Sequence, residues 1–153
     1  MMIRNEAEYQ EAQRRVRQDR EVADRQREAL TEAGFAPEEV ERGMEPLLSF
    51  QAQLAEEIEW YERVRRRDFP VIRRLTQVGQ LLIALRIAGG LTQRELAERL
   101  GISESVVSRD ERNEYHGITV ERAQKVLDAL HASISAQVDE GPPVEEPAPA
   151  GAR

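Results

Sequence analysis

The sequence predicts an all-α chain in three parts. A long N-terminal helical hairpin of coiled-coil character covers residues 1–68, four to five short helices form a bundle over 69–134, and an acidic, proline-rich tail fills 135–153. Three observations lead there. Hydrophobic residues make up 40% of the chain but aromatic ones only 5%, a balance that suits helices better than a β-sandwich. Residues 5–33 contain neither proline nor glycine and are rich in helix formers. Leu91–Gly117 reads as two short helices held at an angle by a tight turn.

Within the first helix, Tyr9, Val16, Ala23 and Leu30 recur every seven residues, a thin stripe of the coiled-coil kind that leaves the helix too little to bury alone. Gly34 supplies a stop and Pro37 a first-turn residue, so 34–36 is expected to reverse the chain into an antiparallel second helix. That helix is expected to break at Gly43 and Pro46 and then present Leu47, Phe50, Leu54, Ile58, Tyr61 and Val64 on one face. The first five of these form the expected seam for a second copy or another protein, although the stripes can also serve only to close the hairpin.

Arg65-Arg66-Arg67 either touches a nucleic-acid backbone or is a solvated helix end complementing its dipole. The sequence leaves both readings open. Pro70 disfavours helix at Phe69 and marks a joint. From about 71 to 88 a helix is expected with Leu75, Val78, Leu81, Leu82 and Leu85 inward, ended by Gly89-Gly90. Thr119 is expected to cap a last helix whose buried face is Val120, Ala123, Val126, Leu127 and Leu130. After Ser135 the composition cannot bury enough apolar surface to order itself, and a disordered tail is expected.

In the central stretch, Thr92 and Glu95 form a capping box, Leu96, Ala97 and Leu100 an inward stripe, and Gly101 a turn residue suited to left-handed backbone. Ser103 can cap the next helix, with Val106 and Val107 facing the first and Glu104, Ser105, Ser108, Arg109 and Arg112 mostly outside. These residues resemble the helix-turn-helix of the Cro and phage-repressor (Xre) family: Gln93, Ala97, Gly101 and Val107 match its opening glutamine, small packing residue, turn glycine and inward β-branched residue. The resemblance implies a structural pair between Arg86 and Glu111. It also assigns base reading to Glu104, Ser105, Ser108 and Arg109, where Arg109 can bind guanine O6 and N7 and Glu104 can accept from cytosine N4. Asp110 departs from the family, which is usually apolar there, and is expected to turn outward or pair with Arg86 or Arg122.

Phosphate contacts are expected from Thr92 and Gln93, beside the free amides of a helix start, and from Arg112, Asn113, Tyr115 and His116 in the following loop. The net charge of −7 looks wrong for a nucleic-acid binder until it is divided along the chain. Residues 1–68 carry 12 basic and 17 acidic side chains, 69–134 carry 9 and 8, and 135–153 carry 1 and 4, so only the middle is not acidic.

With no cysteine, a disulfide scaffold and a thiolate metal site are both excluded. His116 and His131 lie far apart without an acidic cluster, so neither metal nor cofactor is expected, and no phosphate loop or nucleophile motif suggests catalysis. Nothing resembles a signal peptide or a membrane span, which makes cytoplasm the expected compartment. The expectation is a dimeric, sequence-specific regulator of double-stranded DNA, a repressor on an inverted repeat. The alternative is an antitoxin that regulates its own operon and masks a toxin with its hairpin or tail, since Ile3–Tyr9 is similar to the start of HigA-type antitoxins.

Overall fold

A computed structural model describes residues 2–141, and all regular structure among them is helical. Helix α1 spans Glu6–Glu32 and α2 spans Pro37–Arg65. The extended Asn5 fixes the start of α1, its side-chain oxygen accepting the Glu8 amide at 2.9 Å. The chain then reverses at Gly34, where φ is +87°. The two helices run antiparallel. Tyr9 stacks on Tyr61 with ring centroids 5.0 Å apart at one end, and Arg27 pairs with Glu41 at 3.1 Å towards the other.

Helix α2 is continuous, and the expected break at Gly43 and Pro46 does not occur. Proline inside a helix removes one intrahelical bond and crowds the preceding turn. Here the flanking turn is held by tertiary packing: Val40 and fully buried Met44 form a small core with Ala23, covered by Leu30 and Leu47. Gly43 helps directly, because a Cβ there would lie 3.3 Å from Leu30 Cδ1.

Beyond α2, residues 68–74 form a non-helical joint, followed by a 3-10 turn at Leu75–Gln77 and four helices: α3 Val78–Ala88, α4 Gln93–Leu100, α5 Glu104–Arg112 and α6 Val120–Ala129. Helix α3 therefore starts later than expected. The Gln77 side-chain oxygen accepts the backbone N–H groups of Arg73 (3.0 Å) and Arg74 (3.1 Å), which holds the incoming chain extended. Leu75 is consequently 87% exposed rather than inward. Val120 is also outside, at 81% exposure. It occupies the first position of α6, past the end of the bundle, while Ile118 before the Thr119 cap packs on the core instead.

The main core crosses the joint. Ile3, Ala12, Tyr61 and Val64 from the hairpin end share one cluster with Leu82, Ile83, Ile87, Leu96, Val107, Val126 and Leu127 of the bundle. This burial places the open end of the hairpin against α3. A bundle of this size buries a modest fraction of its surface alone, and the hairpin enlarges its core. Residues 135–141 continue as exposed coil, and the remainder of the expected tail, 142–153, lies outside the described residues. Among the described residues no single helix is long and apolar enough to cross a membrane.

Candidate nucleic-acid interface

Helix α4 begins at a complete capping box. The Glu95 amide donates to Thr92 Oγ1 at 3.1 Å, and the Thr92 amide and hydroxyl donate to Glu95 Oε2 at 2.8 and 2.9 Å. These bonds favour the ionised form, so the Glu95 carboxyl is held below its ordinary value of 4.5. Helix α4 ends at Gly101, whose φ of +67° lets the Ile102 amide reach back to Ala97 O at 3.0 Å. Ser103 is extended and precedes α5, but its hydroxyl contacts that of Ser105 at 3.0 Å rather than a backbone amide.

The orientation of α5 is set from inside. Val107 is 1% exposed and packs with Leu96 and Ala97 of α4 in the core. Ser105 and Arg109 are exposed on the opposite side, Ser108 is half-buried beside them, and Glu104 is exposed in the first turn of the helix. The guanidinium groups of Arg109 and Arg112 have no ion-pair or hydrogen-bond partner among the described residues, which leaves them available to an anion or a base edge.

At its far end α5 is tied down by a buried ion pair. Arg86 Nε donates to Glu111 Oε1 at 2.5 Å and Arg86 Nη2 to Glu111 Oε2 at 2.8 Å, both residues being 2% exposed. Two more donors of Arg86 reach backbone carbonyls: Nη1 binds Leu91 O at 2.7 Å and Nη2 binds Arg4 O at 2.9 Å. Gln93 Nε2 adds a third bond to the carboxylate, at 2.7 Å to Oε2. A buried ion pair is tolerable only when it is well hydrogen-bonded, and four of the five Arg86 N–H groups and both Glu111 oxygens are engaged here. Asp110 turns aside, as expected for a charged residue at that point, and accepts from Arg122 Nη2.

Residues 82–136 match a protein-family model described as helix-turn-helix. These residues are a helix-turn-helix domain of the Cro and phage-repressor (Xre) type. No curated protein and no solved structure gives a match to the chain. The helix-turn-helix match supports a DNA-binding transcriptional regulator, with α4 and α5 as the two helices of its motif.

Most of the expected contact residues of the helix-turn-helix lie at the surface, with one correction there and a second in the hairpin. Thr92, Arg112, Asn113 and His116 are exposed, whereas Gln93 is half-buried with its carboxamide turned towards Glu111. Tyr115 is not a phosphate ligand on an open loop: it is 6% exposed and belongs to the core. Glu114 and Tyr115 take positive φ values of 50° and 52°, and the Tyr115 amide binds Asp110 O at 2.7 Å, winding the loop back onto α3. Burial, with Glu111 and Asp110 nearby, pushes the Tyr115 hydroxyl well above its ordinary value of 10.0.

The second correction concerns the hairpin seam. Tyr61 is 4% exposed, stacked on Tyr9 inside the chain's own core, so it cannot meet a partner. Leu47, Leu54 and Ile58 are half-buried against their own chain, and Phe50 is 41% exposed beneath the Arg15 guanidinium, 4.6 Å from its ring centroid.

Two positioning residues escaped the sequence reading. Gly79 is required because a Cβ would fall 1.9 Å from Glu114 O, and a glycine in the first turn of an otherwise bulky apolar helix was the available signal. Arg4 contributes through its backbone carbonyl, which no side-chain pattern reveals.

Proposed function

We propose that the chain is a sequence-specific repressor acting on double-stranded DNA as a homodimer, with α5 in the major groove. The observation that carries this reading is the division of α5: Val107 and Glu111 anchor it to the bundle, while Ser105 and Arg109, which has no side-chain partner among the described residues, face outward beside Glu104 and Ser108. A short helix with such a face fits a major groove, where arginine can bind guanine and glutamate can accept from cytosine. Thr92, Arg112, Asn113 and His116 lie at the ends of the motif, where they would hold phosphate oxygens and set the register. Two copies would read half-sites about 34 Å apart, or a multiple of that spacing. The exposed α2 positions Leu48 and Phe50 support pairing through the hairpin.

The test is selection from a random duplex pool with the purified chain, followed by binding measured at moderate salt, where nonspecific attraction is weak. An enriched G·C-containing inverted repeat is the expected result. Binding of that fragment no tighter than of random duplex would overturn the reading. The same exposed α2 residues also favour a second reading, an antitoxin whose hairpin covers a toxin. A small basic toxin-like product encoded beside the gene, and its co-purification with this chain, would select that reading over a plain regulator.

A further inference from the structure

We infer that the hairpin itself takes part in DNA binding, and that Arg65 contacts a backbone phosphate beyond those held by the helix-turn-helix motif. The inference rests on the reading of α5 as the base reader. It starts from a cleft of about 430 Å³ that joins the two parts of the chain. One wall carries Arg4, Glu6 and Arg65 from the hairpin's open end, and the other carries Thr92, Gln93 and Glu104 from the starts of α4 and α5. The last turn of α2 therefore borders the same edge that presents α5 to a duplex.

Of the two hairpin arginines, Arg65 is the one in position to act. Arg4 is half-buried and committed to Glu8, which accepts its backbone N–H at 2.9 Å and its Nη2 at 3.2 Å. The Arg65 side chain is 52% exposed, and its one polar contact among the described residues is Nη1 to Glu6 Oε2 at 3.0 Å, with Glu6 itself 56% exposed. Such a surface pair contributes little and is exchanged readily for a phosphate oxygen. The stem of the side chain is nonetheless directed, because the guanidinium carbon lies 6.0 Å from the centroid of the Tyr61 ring. That ring is buried and stacked on Tyr9, so it forms a fixed platform beneath the charge.

The experiment measures affinity of the full chain for its selected duplex between 50 and 200 mM salt, for the parent and for Arg65→Gln, Arg65→Lys and Glu6→Gln. Each phosphate contact contributes about 0.9 to the slope of log affinity against log salt, so losing one contact from each protomer of the dimer makes the fall in affinity over this range about 12-fold smaller. Arg65→Gln is expected to show that change with the base preference intact. Arg65→Lys, which keeps the charge, is expected to restore the parent slope, and Glu6→Gln, which releases Arg65, to tighten binding at 50 mM.

A parent slope in Arg65→Gln, on a parent protein that still discriminates its site, would overturn the Arg65 assignment and leave the function standing. So would a lowered slope that Arg65→Lys fails to restore. A parent protein that does not discriminate its site at all would instead remove the functional reading on which the inference rests.

Discussion

Removing the carboxylate of Glu111 is the most informative perturbation of the scaffold, because it is expected to strand a charge that the fold has buried. Glu111 accepts two bonds from Arg86 and one from Gln93. In Glu111→Ala the Arg86 guanidinium stays 2% exposed or must be expelled, with two of its donors and its charge unmatched. Breaking a buried pair by deleting one partner costs about 3–5 kcal/mol, a large share of the roughly 5–15 kcal/mol that holds a domain folded. At about 2–4 °C per kcal/mol for a chain of this length, the melting temperature should fall by roughly 6–20 °C.

Urea unfolding followed by helical circular dichroism measures the loss directly, with the transition midpoint falling at an unchanged slope. The double variant Arg86→Met with Glu111→Leu, which removes the buried charges together, should lie closer to the parent than Glu111→Ala does. Because Arg86 Nη2 also holds Arg4 O, trypsin should cut after Arg4 faster in Glu111→Ala than in the parent. A loss below about 1 kcal/mol, the range of exposed pairs, would refute the reasoning.

Gly79→Ala should be strongly destabilising although alanine is the better helix former, since its Cβ would fall within 1.9 Å of Glu114 O and 2.7 Å of Glu114 C; a raised melting temperature would contradict the close approach of loop and helix. Thr92→Ala should cost about 0.5–2 kcal/mol in urea by opening the capping box. The same box predicts an acid effect. The folded state holds Glu95 below 4.5, so its contribution is present at neutral pH and is lost as pH falls below that value, and the gap between parent and Thr92→Ala should narrow in acid. All three tyrosines, Tyr9, Tyr61 and Tyr115, are raised above 10.0, Tyr9 first by its bond to Glu62 and the other two by burial. Stability should therefore be lost above about pH 10, where the unfolded chain ionises more readily, and phenolate absorbance should rise together with unfolding; tyrosines titrating at 10.0 in the folded protein would contradict their placement.

What the sequence made legible was chiefly local or carried by family spacing. The Thr92–Glu95 box spans three residues, Gly101 announces its own backbone, and Val107 marks the inner side of α5, so the ends and orientation of the motif could be placed from short patterns. Arg86 and Glu111 were paired by resemblance across 25 residues, and Asp110 meets Arg122, one of its two expected partners. The errors lie where long-range packing decides. Pro46 is carried inside α2 because Met44 and Val40 are buried against α1, and a proline read alone gives no sign of that support. Tyr115 resembled a loop donor until the turn at 113–117 closed over α3, and Tyr61 fitted a partner seam until Tyr9 took its ring face. Leu75 and Val120 follow the correct helical spacing but stand just beyond the ends of the bundle, where periodicity has nothing to pack against.

The central claim is that the outward side of α5 reads base edges, and the most direct measurement compares the parent chain with Arg109→Gln on the selected duplex and on single-base variants of it. The account predicts that the parent prefers its site and that Arg109→Gln loses about 1–3 kcal/mol of discrimination at one G·C pair while retaining its affinity for random duplex to within a few-fold. A variant that discriminates every position as well as the parent does would contradict the account.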